Sequence, residues 1–369
     1  MGLLKLKCRL ITPMFMAGGD GRTPELRPSE FKGMMRWWWR AIKAEDDIKR
    51  LKEEEAKIFG GAGEGEGKSK VQLRIKGISP LNIGNNLKED YRLNWYFNRN
   101  TSSLVGENAG IGYLLYSTVL PQRERSYIKD GYEFELTLIS MDEEAFNKAC
   151  SSLWLAIYLG GFGTRARRGG GNIEITEVNG DETGSLNFKC DAENISKLKD
   201  FLKRNLERIK EICEANTHSA QLEYTNLKNP RILIFEPKNN WKDALNFLGE
   251  AYKNFRSRNK SQIFETAAFG MPVMHSRFSV RMVPYIVPNK KGRLSDRWAS
   301  PLIFKVIKTS YNLYFPVIIK LSAGGIKYIG KEKKEDGDWE LENNNVKNFT
   351  ENLINTFLNF LYRRDALPR

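Results

Sequence analysis

Histidine is nearly missing from this 369-residue chain, with only His218 and His275 present. Cysteine is almost as scarce: Cys8, Cys150, Cys190 and Cys213 are widely separated and form no CxxC pair. A zinc site needs about four clustered soft ligands, so the expectation is no metal and four reduced, buried thiols. No apolar run approaches the ~18 residues that suggest a membrane helix. The start, MGLLKLKCRL, alternates Leu with Lys instead of forming an apolar signal stretch, and Leu6 stands where a myristoylated chain has Ser or Thr. A soluble, cytoplasmic protein with no membrane partner is expected. HExxH, GxSxG and Asp-rich metal motifs are also missing, so no cofactor is expected. Catalysis is left to a single-histidine ribonuclease using His218 or His275, a chemistry that leaves little sequence trace.

What the chain has is positive charge. Fifty-nine Lys and Arg stand against 45 Asp and Glu, a formal net charge of +14. Such an excess attracts polyanions by neutralising phosphates and releasing counterions, which makes nucleic acid the leading partner class. The length suits two domains, because single cores usually stop growing sooner.

The first half reads as strand, helix, strand, strand, helix, strand. LLKLKCRLI alternates Leu4, Leu6, Cys8 and Leu10 with Lys5, Lys7 and Arg9, which predicts a half-buried strand with a basic open face. Ser29 is placed to cap a helix through FKGMMRWWWRAIK, and AEDDIKRLKEEEAKIF predicts a second helix ending at Gly60. VQLRIKGIS and YEFELTLIS predict strands, DEEAFNKACSSLWLAIYLGG a helix with an acidic start, and GGNIEITEV a strand. This order is the ferredoxin-like pattern. After a polar break at NGDETGSLNF comes an amphipathic helix carrying Ile195, Leu198, Leu202, Leu206 and Ile209. The pattern then restarts with RILIFEP, NWKDALNFLGEAYKNFRS, PLIFKVIKT, YFPVIIKLS and NFTENLINTFLNFLYRR. The expected fold class is α+β, two tandem ferredoxin-like (RRM-like) domains divided as 1–185 and 186–369 with the connecting helix in the second.

Four motifs carry chemistry or imitate it. AGEGEGKS, Ala62 to Ser69, ends like a phosphate-binding loop, but a helix precedes it, a strand follows, and Glu64 and Glu66 would repel an anion. GGFGTRARRGGG, Gly160 to Gly171, places six glycines around Arg165, Arg167 and Arg168 with no acid. Glycine permits close backbone approach and arginine matches phosphate bidentately, a combination suited to a sugar-phosphate backbone. The stretch Arg277 to Lys308 holds Arg277, Arg281, Lys290, Lys291, Arg293, Arg297, Lys305 and Lys308 against Asp296 alone, with Tyr285 and Trp298 interleaved as stacking platforms would be. In the tryptophan helix, at about 100° per residue, Phe31, Met35, Trp38 and Ile42 share the core face with Trp39 at its margin. Lys32, Arg36, Arg40 and Lys43 form a basic stripe, and Trp37 lies away from the core centre as a stacking candidate.

LITPMFMAGGDG, ELRPSEFKGMMRWWWRAI, KIFGG before a strand, and GGFGTRARRGGG together resemble the RAMP superfamily of CRISPR ribonucleoproteins. FGMP at 269–272 and RWASPLIFKVIK at 297–308 make the chain similar to the first-numbered subunits of Cmr (type III-B) effector complexes, with Trp298 where a second arginine is expected. The resemblance implies two ferredoxin-like domains, a glycine-rich loop, other Cmr-complex subunits as partners, and non-catalytic binding of guide or target RNA in antiviral defence. It also implies RNA contact by Lys32, Arg36 and Arg40 and by Gly163, Gly169 and Gly170 with the loop arginines. Two alternatives stay open: a metal-independent RAMP ribonuclease that processes RNA, and a purely architectural subunit.

Overall fold

The computed structural model describes residues 1–63, 66–100, 103–119, 124–180, 186–216, 222–275, 280–287, 295, 297–335 and 338–365. His218, Arg277, Lys290, Lys291 and Arg293 lie outside the described residues, as does the side chain of His275. The chain divides into two compact units. One comprises Met1–Ala220, Ile234–Glu250 and Ile303–Ile319; the other comprises Gln221–Leu233, Ala251–Leu302 and Lys320–Arg369.

In chain order the elements begin with β1 (Gly2–Leu10), α1 (Pro28–Lys43), α2 (Ile48–Phe59), β2 (Val71–Gly77), β3 (Ile83–Gly84), α3 (Leu87–Tyr91), β4 (Tyr96–Asn98) and β5 (Ser103–Val105). Then come α4 (Ala109–Leu114), β6 (Tyr127–Ile128), β7 (Glu133–Ser140), α5 (Glu143–Tyr158), β8 (Ile173–Gly180), α6 (Ile195–Ile212), β9 (Asn226–Ile234) and α7 (Trp241–Arg258). The remainder is α8 (Ile263–Thr266), β10 (Val273–His275), β11 (Val280–Tyr285), β12 (Leu302–Lys308), β13 (Tyr314–Ser322), β14 (Tyr328–Glu335), β15 (Asp338–Asn348) and α9 (Asn352–Asp365).

The main sheet of the first unit has the order β2-β7-β1-β8, with β1 antiparallel to both β7 and β8 and β2 antiparallel to β7. With α1 in the first crossover and α5 in the second, this is the ferredoxin-like arrangement expected from the sequence. Its core face is dry: Leu4, Leu6, Cys8, Leu136 and Leu138 have no exposed surface, and α5 buries Leu153, Trp154, Leu155 and Ile157. Burial pushes the Cys8 and Cys150 thiols far above their usual range, which keeps them protonated and inert. The opposite face is not the free basic surface that alternation predicts. Arg9 donates to Glu133 and Glu174, and Lys7 pairs with Glu177. A period-two pattern shows which side a lysine faces but not the acid on the next strand.

The second half repeats β9, α7, β12, β13 and α9. Its strands stand in the order β12-β13-β9, matching β2-β7-β1, with no counterpart of β8 among the described residues. A four-stranded sheet, β10-β11-β14-β15, belongs to the second unit and was not expected from the sequence. It packs Val280, Met282 and Ile329 with Phe264, Met271 and Trp298. Tyr285 and Trp298 are therefore core residues, not stacking platforms: Tyr285 donates its hydroxyl to Glu332 and Trp298 its indole N–H to the Gly324 carbonyl. Helix α6 packs on α5, with Phe201 against Trp154 and Tyr158.

Candidate nucleic-acid interface

Helix α1 starts at Pro28, whose fixed φ and missing N–H suit the first helical position, so Ser29 lies inside the helix and not at its cap. Phe31, Met35, Trp38, Trp39 and Ile42 are all buried, as the helical spacing predicts. Phe31 stacks on Phe162 at 4.1 Å, which places the aromatic of GFG in the core. The indole N–H groups of Trp38 and Trp39 find no hydrogen-bond partner among the described residues. Each costs about 1–3 kcal/mol, less than the ~4–6 kcal/mol gained by burying a ring of roughly 200 Å², so the packing stands.

The basic stripe of α1 is engaged inside the fold. Arg36 and Arg40 each donate to a different oxygen of Glu55, a residue of α2 whose side chain is 6% exposed. Arg36 also reaches the Gly60 carbonyl at 3.0 Å, and Lys32 donates to the Ser69 hydroxyl at 2.6 Å. Burial and the neighbouring Arg36 charge depress the Lys32 ammonium. Lys43 is buried and pairs with Glu54 at 2.8 Å. One carboxylate thus clamps α1 to α2, while about a third of each arginine side chain stays exposed.

The glycine-rich loop runs between α5 and β8. Thr164 N donates to Phe15 O at 2.8 Å, and Gly171 N to Pro13 O at 2.9 Å, so LITPMFM forms the seat of the loop. Gly163 has φ +80°, and a Cβ there would lie 2.7 Å from Phe15 O. Gly169 has φ +85°, and a Cβ would lie 2.3 Å from Leu245 Cδ1. Gly163 excludes a side chain on conformation and space together, and Gly169 chiefly on conformation. Gly170 is buried, with Thr164 O at 3.2 Å from the site of a Cβ. Arg165 itself adopts φ +67°, and its carbonyl accepts from Arg168 N and Gly170 N, closing a tight turn that groups the three arginines.

Each arginine of the turn has a distinct setting. The Arg165 Nε donates to Ser117 Oγ at 2.8 Å. The Arg167 guanidinium lies 4.9 Å from the centre of the Trp37 ring, and that of Arg168 lies 5.2 Å from Phe304. Arg125 joins the group through Thr164 Oγ1 at 3.3 Å. Burial, with the Arg168 and Arg125 charges, depresses Arg165; burial and Arg168 push Arg167 down to about 10. Such crowding of like charge favours an incoming anion.

Strand β12 braces the loop from below. Phe304 N donates to Arg167 O, Val306 N to Asn172 Oδ1 at 2.8 Å, and Lys305 Nζ to Gly160 O at 2.8 Å. Lys305 is 1% exposed, and burial pushes its ammonium down to about 7. Lys308 pairs with Glu174 at 3.0 Å. Neither lysine is a surface contact, although both fell inside the predicted basic stretch.

Trp37, Arg165, Arg167, Arg168 and the loop glycines thus come together, and Lys32, Arg36 and Arg40 lie on the same helix as Trp37. Arg281 and Arg297 belong to the second unit: Arg281 donates to Glu332 at 2.8 Å and lies over the Trp339 ring, and Arg297 is exposed. Sequence reasoning missed Arg125, whose only signal is the pair of arginines flanking Glu124 in QRERS, and Ser117, which gives none.

A family model described as the RAMP superfamily matches residues 7–174. The chain is 30% identical over 306 residues to Cmr subunit Cmr1-1 of Pyrococcus furiosus, covering 80% of each protein. It belongs to the Cmr1 family of the RAMP superfamily. The Cmr1 fold extends nearly end to end: the crystal structure of Cmr1 from Pyrococcus furiosus in its apo form superposes with TM-score 0.63 and 25% identity, covering 93% of this chain and 95% of that one. A chain in the cryo-EM structure of the Type III-B Cmr-beta bound to cognate target RNA shares the fold at TM-score 0.60 and 15% identity, covering 98% and 99%. No helix of this Cmr1-family chain, among the described residues, is long and apolar enough to cross a membrane.

Proposed function

We propose that this chain is a non-catalytic RNA-binding subunit of a cytoplasmic type III-B CRISPR (Cmr) ribonucleoprotein, helping other Cmr subunits hold guide or target RNA. One observation carries the reading: a glycine-shaped turn groups Arg165, Arg167 and Arg168, with Arg125 beside them, in a loop that contains no acid. Arginines grouped in this way match a phosphodiester backbone, with the largely buried Arg167 packed over the Trp37 ring. Arg36 and Arg40 add charge at the flank, with their exposed thirds. The division at 185/186 separates the repeat that carries the loop from the repeat that supplies its brace.

The expected outcome of replacing Arg165 and Arg168 by Gln is RNA binding weaker by about tenfold or more and a shallower salt dependence, by about 0.7 for each phosphate of a single strand that is no longer neutralised. Fluorescence anisotropy with a labelled single-stranded RNA measures both. The ribonuclease alternative depends on His218 and His275 and predicts cleavage in EDTA that His218→Ala or His275→Ala abolishes; a non-catalytic subunit leaves the RNA intact.

A further inference from the structure

The structure holds a second cationic site. A cleft of about 610 Å³ lies between α2 and the segment that follows it, lined by Lys49, Lys52, Lys57, Lys68 and Lys70 with Glu53 and Glu66. We infer that this lysine-lined cleft binds the phosphate backbone of an RNA strand, separately from the glycine-rich loop.

What singles out the cleft is the set of charges already engaged around it. Lys49, Lys52 and Lys57 stand at helical spacing on one exposed face of α2. Lys70 is paired with Asp142, and Lys52 with Glu66 at 3.5 Å. The Glu66 carboxylate is in turn held by the Gly63 N–H at 2.8 Å. Glu66 is offset by Lys52 and the Gly63 N–H, and Lys49, Lys57 and Lys68 have no ion-pair partner among the described residues, so against Glu53 the lining keeps a surplus of positive charge. Its position is fixed by the stripe of α1: Lys32 holds Ser69, between Lys68 and Lys70, and Arg36 holds the Gly60 carbonyl. Residues that looked like the RNA contact in the sequence thus shape an adjoining cleft that carries those three lysines.

The chemistry selects a backbone over a nucleotide. The lining contains no aromatic ring for a base, and the Gly63 N–H is taken by Glu66, so lysine side chains are left as the donors to a phosphate. Lysines act as mobile point charges that follow a backbone without reading sequence.

The inference rests on the RNA-binding reading and extends it, and the test separates the two. Full-length protein carrying Lys49→Gln, Lys57→Gln and Lys68→Gln together is titrated with labelled single-stranded RNA over a range of salt. Wild type, Arg165→Gln and the exposed control Lys199→Gln are titrated alongside. The cleft variant is expected to bind at least tenfold more weakly, with a salt slope smaller by about 2, as three phosphates released from neutralisation at about 0.7 each require; Lys199→Gln should match wild type. Cleft-variant affinity and slope equal to those of Lys199→Gln would overturn the inference, including the case where the cleft instead captures an acidic protein surface. Weaker binding in the cleft variant with none in Arg165→Gln would support the cleft and refute the loop; the reverse would refute the cleft and leave the loop.

Discussion

Lys305 is the residue most at odds with its sequence context, a lysine inside a strand with its ammonium on a backbone carbonyl. Its folded value of about 7 lies well below the 10.5 of a free lysine. Between these two values the unfolded chain binds the extra proton, so Lys305 makes stability rise with pH through that window and adds no slope below pH 7. The full span is on the order of 5 kcal/mol. Cys190 and Cys213, pushed up to about 12 by burial, act in the opposite direction above about pH 9. Urea unfolding between pH 7 and 8.5 isolates the lysine: wild type should gain stability, and Lys305→Met should be flat and more stable at pH 7. A wild-type curve parallel to the variant's would refute this assignment. Nothing in PLIFKVIKT distinguishes Lys305 from a surface lysine, because the apolar residues on both sides fit either a two-face-buried strand or an alternating one.

At the scale of elements, the long helices and the strands that alternate with them were legible, while the short α3, α4 and α8 were not. The spacing of Phe31, Met35, Trp38 and Ile42 identified the core face of α1, and Asp47, Asn194 and Gly60 sit at the ends of α2 and α6 where cap chemistry puts them. Less legible were the partners across elements. Glu55 lies in a run of glutamates that reads as a solvated face, yet it is buried between two arginines of α1. Glu55→Gln should cost on the order of 1–2 kcal/mol, since the partly exposed arginines regain some hydration. A denaturant titration checks it, and a loss below a few tenths of a kcal/mol would contradict the clamp. Gly163→Ala should cost more, because both φ +80° and the Phe15 carbonyl oppose a side chain. The strands β3 to β6, β10, β11, β14 and β15 escaped the sequence reading because β3 to β6 and β10 are two or three residues long, β14 and β15 are rich in lysine, glutamate and asparagine, and β11 carries Pro284.

For the whole molecule, the tandem repeat was visible because strand and helix patterns recur in the same order, and the topology repeats it in the matching β2-β7-β1 and β12-β13-β9 arrangements. What sequence order could not show is that residues 303–308 lie with the glycine-rich loop in one unit. The surplus of charge was legible as a total, +14, but its distribution was not. Ion pairs along β1 and α1 engage many of the cations without changing that net charge, and the cleft beside α2 is lined by more lysines than acids. The most direct measurement of RNA binding as the chain's role is the salt dependence of affinity for single-stranded RNA in wild type and in a variant with Arg165, Arg167 and Arg168 replaced by Glu, with circular dichroism to verify folding. A subunit that grips RNA through this loop shows a steep wild-type slope, with weakened affinity and a flattened slope in the folded variant. Equal affinity at low salt in both proteins would contradict it.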